Sequence, residues 1–320
     1  MRIVSLLPST TEILFAIGAG DDVVGVTFEC DHPAQARSRR IVSTSAMPDG
    51  LSPAEIDAYV VAAMAADEEL YLLDAGALAD LDADLVVTQD LCAVCAVDVS
   101  TVDSALAHLG CTADVLTIDP HTLDEVLESI QVLGRATGRI TEAAELVASL
   151  TARLAAIRPA GPRLRVVVLE WADPPYAPGH WIPEMVEIAG GACVLGTAGE
   201  KSVRVTWDDV HAARPDLVVV APCGYDRAGA QAQADALVAA GLLPAGVAVH
   251  AVDANASWAR PGPRLVDGIE ELAAVIAARS AHPGAAAAEP VPVRRPASAP
   301  ATATGEVGAD DGGAEVVQLG

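Results

Sequence analysis

Lysine is nearly missing from this chain. Lys201 is the only one in 320 residues, and Asp plus Glu outnumber Lys plus Arg by 44 to 19. No basic stripe is therefore available to neutralise phosphates, which excludes nucleic acid as a partner. The Ala-rich, Arg-over-Lys composition reads as coding bias, so the lysine shortage itself carries no functional meaning. No apolar run approaches the ~18 residues of a membrane span. The first 22 residues, MRIVSLLPSTTEILFAIGAGDD, carry an arginine and apolar residues but not the pattern of an export signal. Pro8 to Glu12 interrupts the apolar region, and neither an A-x-A cleavage site nor an L-x-G-C lipobox follows. The sequence as it stands reads as cytoplasmic; the alternative is a periplasmic or extracellular protein whose upstream leader was lost. A chain this long needs no disulfide staples, so reduced thiols are expected for its six cysteines. Cys92 and Cys95 form a single C-x-x-C, with no second pair and no H-x(3–5)-H to complete a zinc shell.

Hydrophobic residues make up 52% of the chain, ample for two cores. Short apolar, β-branched runs at 2–7, 23–27, 40–43, 69–73, 84–89 and 114–118 alternate with helical patterns such as 10–18, 53–65 and 101–109. Buried strands interleaved with helices predict a mainly parallel sheet covered on both faces. Residues 122–157 then show helical spacing throughout, opened by a capping box of Thr122 with Glu125 and stopped by P-A-G-P at 159–162. The span reads as one long helix of ~54 Å, or as two helices if Gly134 and Gly138 bend it. A second set of strands follows at 163–171, 191–196, 216–222 and 248–254, and a closing helix at 265–280. Beyond residue 283 the chain is aperiodic Ala, Pro and Gly, read as a disordered tail. The expected organisation is an α/β lobe over 1–121, a connecting helix over 122–158, a second α/β lobe over 163–283, and a tail over 284–320.

Ligands of parallel sheets collect outside the carboxyl ends of the strands, and the distinctive residues fall there. These loops carry Ser9, Thr10 and Thr11; Glu29, Cys30 and His32; Cys92 and Cys95; Trp171, His180 and Trp181; Cys223 and Tyr225; and Trp258, Arg260 and Arg264. Each has a plain alternative. Ser9 with Glu12 is a capping box, which starts a helix and also aims amides at an anion. The three tryptophans are either core residues or stacking faces for a flat ligand, and in a chain only 3% aromatic their place in Pro- and Gly-rich loops favours ligand contact for at least one. Arg260 and Arg264 flank a rigid P-G-P, with salt bridges to nearby acids as the alternative, and His180 either binds or bonds within its own loop. Cys30, Cys92, Cys95 and Cys223 are the candidates for a zinc or Fe–S site, with His32 as a further possible ligand. Cys92 and Cys95 are also a candidate dithiol, or two small buried hydrophobes. Cys111 and Cys193, away from the tips, read as structural.

Several ordered segments resemble one family: R-I-V-S-L-L-P-S-T-T-E-I-L at the start, D-L-V-V-T-Q-D-L-C-A-V-C-A-V, G-H-W-I-P-E-M-V-E-I-A-G-G, V-A-P-C-G-Y and R-P-G-P-R-L-V-D-G-I-E-E-L-A. Over about 1–283 the chain is similar to cobalamin-binding proteins related to vitamin B12 receptors, within the helical-backbone metal-receptor superfamily. The resemblance implies two Rossmann-like lobes joined by a rigid backbone helix, the class III substrate-binding-protein fold. It implies non-catalytic binding of cobalamin or a related corrinoid or tetrapyrrole chelate between the lobes, against Trp171, Trp181 and Trp258. A permease of the ABC transporter type is the implied partner, with Glu69 and Glu187 as exposed docking candidates, and a monomer is expected. The competing expectation is a cytoplasmic metal (Zn or Fe–S) or thiol-redox protein using the cleft cysteines.

Overall fold

The computed structural model of the chain describes residues 1–66, 68–89, 113–159 and 161–281. The helix pattern at 101–109, Cys92, Cys95, Cys111 and the tail at 284–320 lie outside the described residues. In the first lobe the elements are β1 (Ile3–Ser5), α1 (Pro8–Ala16), β2 (Val23–Thr27), β3 (Arg40–Ser45), α2 (Pro53–Ala66), β4 (Tyr71–Leu73), α3 (Ala75–Ala79), β5 (Leu85–Thr88) and β6 (Asp114–Thr117). The strands form one sheet in the order β4-β3-β2-β1-β5-β6. Every neighbouring pair is parallel except β3 with β4, which run antiparallel at the edge. The central strands are buried on both faces, as their continuous β-branched runs require. Ile13 and Leu14 of α1, with Ile17 at its C-cap, cover one face, and Ala77, Leu78 and Leu81 cover the other.

Residues 122–157 fold as two helices, α4 (Leu123–Thr137) and α5 (Ile140–Ala156), and the single-helix expectation is corrected here. Thr122 and Glu125 make the expected capping box. The break falls at Gly138, which holds a left-handed φ of 71° that suits glycine and ends a helix. Arg139 N–H then bonds back to the Gly134 carbonyl at 2.8 Å. Leu123 at the start of α4 and Leu154 near the end of α5 both pack into the second lobe, while Ile130, Leu133, Ala143 and Leu150 pack into the first. The pair therefore runs as a hairpin from the second lobe to the first and back.

The second lobe contains β7 (Arg165–Leu169), β8 (Trp171–Ala172), β9 (Pro175–Ala177), α6 (Ile182–Ile188), β10 (Ala192–Cys193), β11 (Val203–Arg204), α7 (Trp207–Ala212), β12 (Leu217–Val220), α8 (Arg227–Ala239), β13 (Ala248–Ala251), α9 (Ala254–Ser257) and α10 (Leu265–Ala281). Its parallel sheet has the order β10-β7-β12-β13. A small antiparallel sheet, β11-β9-β8, stands beside it and is built from residues that read as loop in the sequence. Val166 to Leu169 and Leu217 to Val220 are fully buried, each side chain contributing about 1.5–3 kcal/mol of apolar burial. Trp258 is also fully buried and Trp181 nearly so. Both belong to the core that packs α6 and α10 on the sheet, and the Trp181 indole N–H donates to the Trp258 carbonyl at 2.8 Å. These two tryptophans fill the lobe's interior and offer no open face for stacking, which corrects the expectation for them.

Candidate functional site

The lobes meet along two seams. At the inner seam Arg260 and Arg264 of the second lobe reach the buried carboxylate of Glu12 on α1. Arg260 Nη1 donates to Glu12 at 3.2 Å and Arg264 Nε donates to it at 2.8 Å, with a further bond from Arg264 Nη2. Arg260 also pairs with Asp31 and donates to the Glu29 carbonyl at 3.1 Å. Burial acts to raise the Asp31 carboxyl, but the hydrogen bond and charge of Arg260 outweigh it and hold the group below its usual range. At Glu29 burial wins over the attraction of Arg260, so that carboxyl is raised. Glu29 Oε2 accepts the Tyr71 hydroxyl at 3.4 Å. His32 is exposed, and its imidazole is held neutral by partial desolvation and by Arg264. The two arginines were read as ligand contacts or as partners of surface acids. They are instead committed to a buried ion cluster between the lobes.

Ser9, Thr10 and Thr11 are buried as well. Leu7, not Ser9, is the N-cap of α1, with Pro8 at the first position, so the expected capping box is absent. The Thr10 and Thr11 hydroxyls both bond Ser5 Oγ, at 2.7 and 2.8 Å, and Thr11 also contacts Cys30 Sγ at 3.1 Å. These side chains close an internal network. Burial pushes the Cys30 thiol up to about 12, which leaves it protonated in this network. Cys223 is exposed, and burial pushes Cys193 up to about 11. Among the described residues no group of three His, Cys, Asp or Glu side chains is arranged to hold a metal ion.

The outer seam joins α2 to the small antiparallel sheet. The Trp171 indole N–H donates to the Pro53 carbonyl at 3.2 Å and to the Asp173 carbonyl at 3.0 Å. Tyr176 donates to Asp57 at 3.0 Å, and Arg204 lies 3.8 Å from the same carboxylate. Trp171 is half-buried and packs at 5.8 Å from the half-buried Tyr225 ring. Of the three loop tryptophans, Trp171 alone keeps an aromatic surface near the loop tips.

A cavity of about 520 Å³ opens between His121, which follows β6 of the first lobe, and Thr197, Gly199, Glu200, Lys201 and Val203 of the second. His180 stands next to it, its ring 5.7 Å from that of His121 and 5.6 Å from that of Trp181. His180 Nε2 is buried and has no hydrogen-bond partner among the described residues. Burial, then the charges of His121 and Lys201, lower its pKa, so the ring is neutral at pH 7. Buried polar atoms are nearly always paired, and one that is not calls for an explanation. Asp119 lies 3.9 Å from His121. Sequence reasoning missed His121, Asp57, Glu170 and Lys201. His121 follows a strand and was open to the loop-tip rule; Lys201 was conspicuous as the sole lysine but was set aside. Of the docking candidates, Glu187 pairs with Arg163 and accepts the Cys193 N–H at 3.0 Å, while Glu69 is exposed.

Two α/β lobes with parallel sheets, joined through a helical connector, are the architecture of a class III substrate-binding protein. Residues 3–245 match the periplasmic binding protein family, and the chain belongs to it. Among curated proteins it is 27% identical over 303 residues to the uncharacterized ABC transporter substrate-binding lipoprotein YvrC of Bacillus subtilis, covering 85% of this chain and 78% of that one. Among solved structures it resembles the periplasmic heme-binding protein RhuT from Roseiflexus sp. RS-1, at 21% identity and a TM-score of 0.65, covering 88% and 99% of the two chains. It also resembles the periplasmic vitamin B12 binding protein BtuF of Vibrio cholerae, at 20% identity and a TM-score of 0.56, covering 88% and 98%. The family is one of binding proteins, which agrees with the non-catalytic expectation. Its name, and that of the lipoprotein relative, give no support to a cytoplasmic protein.

Proposed function

We propose that this protein binds a large, flat metal chelate between its lobes, a cobalamin or related corrinoid in preference to a porphyrin. In this reading it serves an ABC transporter as its exported substrate-binding component and docks on a permease. The observation that carries the ligand reading is the neutral imidazole of His180, whose Nε2 has no partner among the described residues and whose ring stands 5.7 Å from His121 on the wall of a cavity between the lobes. A neutral imidazole with an open nitrogen is a donor suited to a chelated metal, and the Trp171–Tyr225 pair offers aromatic surface to a macrocycle. The cavity wall supports carboxamide over carboxylate edges. Glu200 accepts, Lys201 donates and Thr197 does both, matching the mixed donors and acceptors of amides. A porphyrin's two carboxylates would meet Glu200 and Asp119 in a chain whose formal net charge is −25.

Calorimetry with cyanocobalamin and with hemin, each paired with absorbance spectra, tests the proposal. Cyanocobalamin is expected to bind more tightly than hemin. Absence of cyanocobalamin binding below about 100 μM, roughly −5.5 kcal/mol, would overturn the corrinoid reading. Tight hemin binding in its place would redirect it to porphyrins.

A further inference from the structure

Glu170 sits one residue past β7, and no Arg, Lys or His among the described residues forms a salt bridge with it. Its two carboxyl oxygens are spent on two different loops. Oε1 accepts the Gly179 N–H at 3.4 Å, and Oε2 accepts the Ser202 hydroxyl in a short bond. Those loops run side by side: His180 N–H donates to the Glu200 carbonyl at 2.7 Å, and Gly199 N–H donates to the His180 carbonyl at 3.0 Å. They pack backbone to backbone, because a Cβ on Gly179 would collide with Glu200 O and one on Gly196 with Pro178 O. His180 itself is held at a φ of 48°, a left-handed conformation uncommon outside glycine that persists only where surrounding contacts impose it.

We propose that Glu170 is the positioning residue of the ligand site, stapling the 178–181 loop to the 197–202 loop so that His180 is held beside the cavity wall that Glu200 and Lys201 line. Glu170 touches no ligand and acts through the loops. Desolvation pushes its carboxyl up to about 7, against the hydrogen bonds from Ser202 and Gly179 that favour the charged form. The groups around it are the Ser202 hydroxyl, the Gly179 amide and the Cys193 thiol, which also feels Glu187. A carboxyl whose pKa is higher in the stapled state than in an open, solvated one favours stapling when protonated. That advantage is fully present below the ordinary carboxyl value of about 4.5, is lost as pH rises to about 7, and stays constant above it.

The test uses the full chain, with Glu170→Gln and Glu170→Ala, and has two readouts. The first needs no ligand: hydrogen exchange of peptides covering 178–181 and 197–202. Glu170→Ala is expected to speed exchange in both by about tenfold, and Glu170→Gln, which keeps an acceptor, to stay near wild type. Between about pH 5 and pH 7 the wild type is expected to lose protection, after correction for intrinsic rates, while Glu170→Gln stays flat. The second readout is cyanocobalamin affinity, expected to fall about tenfold in Glu170→Ala; this part rests on the chelate reading. Exchange in Glu170→Ala within twofold of wild type overturns the proposal, as does a pH step that survives unchanged in Glu170→Gln. That second criterion stands even if the alanine variant does not fold. A clear exchange effect in a protein that binds no cyanocobalamin supports the positioning role while the corrinoid reading falls.

Discussion

The two seams between the lobes are built from opposite materials. At the inner one, Glu12 and Arg260 keep only 3% and 9% of their side chains exposed, and every carboxylate there has a guanidinium partner or an alternative hydrogen bond. At the outer one, Arg204 is 62% exposed and stands 3.8 Å from Asp57. The charges of the inner seam have lost their water and depend on each other, so separating them would leave desolvated ions behind. At the outer seam Asp57 is 14% exposed, but its cation Arg204 is largely in solvent and can exchange its protein partner for water at little cost. The contrast makes the inner cluster the fixed joint between the lobes and the outer contact the side that can yield to a ligand.

The largest effect tests the joint. Arg260→Ala removes one of the two cations of the buried Glu12 carboxylate and the nearest cation of the part-exposed Asp31, and is expected to cost about 3–5 kcal/mol in urea unfolding. A loss under about 1 kcal/mol would mean that water enters the cluster and that the two seams are alike. At the outer seam, Asp57→Ala removes the acceptor of the Tyr176 hydroxyl and the partner of Arg204. Its expected cost is about 1 kcal/mol or less in the same assay. A cost matching that of Arg260→Ala would erase the distinction from the other direction.

The same division governs how far the sequence could be read. The α/β class and the parallel sheets followed from β-branched runs, because burial on both faces of a strand writes itself into consecutive residues. The ends of those strands carry Trp171, Arg260 and Glu12, which lie at the seams. Pairing across lobes is not local, and nothing in P-S-T-T-E or R-P-G-P-R says that Glu12 and Arg264 face each other across 252 positions. For that reason two arginines read as ligand contacts are part of the joint. Trp258 was misjudged because a Pro- and Gly-rich neighbourhood suggests a surface loop, yet four-residue α9 turns its indole into the core. The antiparallel strands β8 and β9 were hidden by their brevity, although the D-P-P between Trp171 and Tyr176 is turn chemistry. Gly134 and Gly138 were visible as bends, and the left-handed backbone that only Gly138 adopts settles the connector as two helices.

The smallest expected effect sharpens the inner seam from within. Asp31 and Glu29 lie close together on one loop, yet Arg260 holds the first carboxyl below its usual range while burial raises the second. Their contributions to stability therefore run in opposite directions with pH. Asp31 stabilises the fold while ionised, and that contribution is lost as pH falls from its ordinary value of about 4 through its lower folded value. Glu29 favours the fold when protonated, and its contribution weakens as pH rises through the carboxyl range. Asp31→Asn keeps the shape and an oxygen acceptor but removes the charge that Arg260 feels. It is expected to cost about 1 kcal/mol at about pH 6, because the side chain is part-exposed and screened, and progressively less as pH falls below the ordinary carboxyl value and the native carboxyl takes up its proton. Urea titrations of both proteins at several pH values give that difference directly. A pH-independent cost would show that Asp31 contributes through shape and hydrogen bonding alone. In an Arg260→Ala background the desolvation of Asp31 is opposed chiefly by Arg264 and a backbone hydrogen bond, so the acid-side loss of stability should shrink or reverse sign.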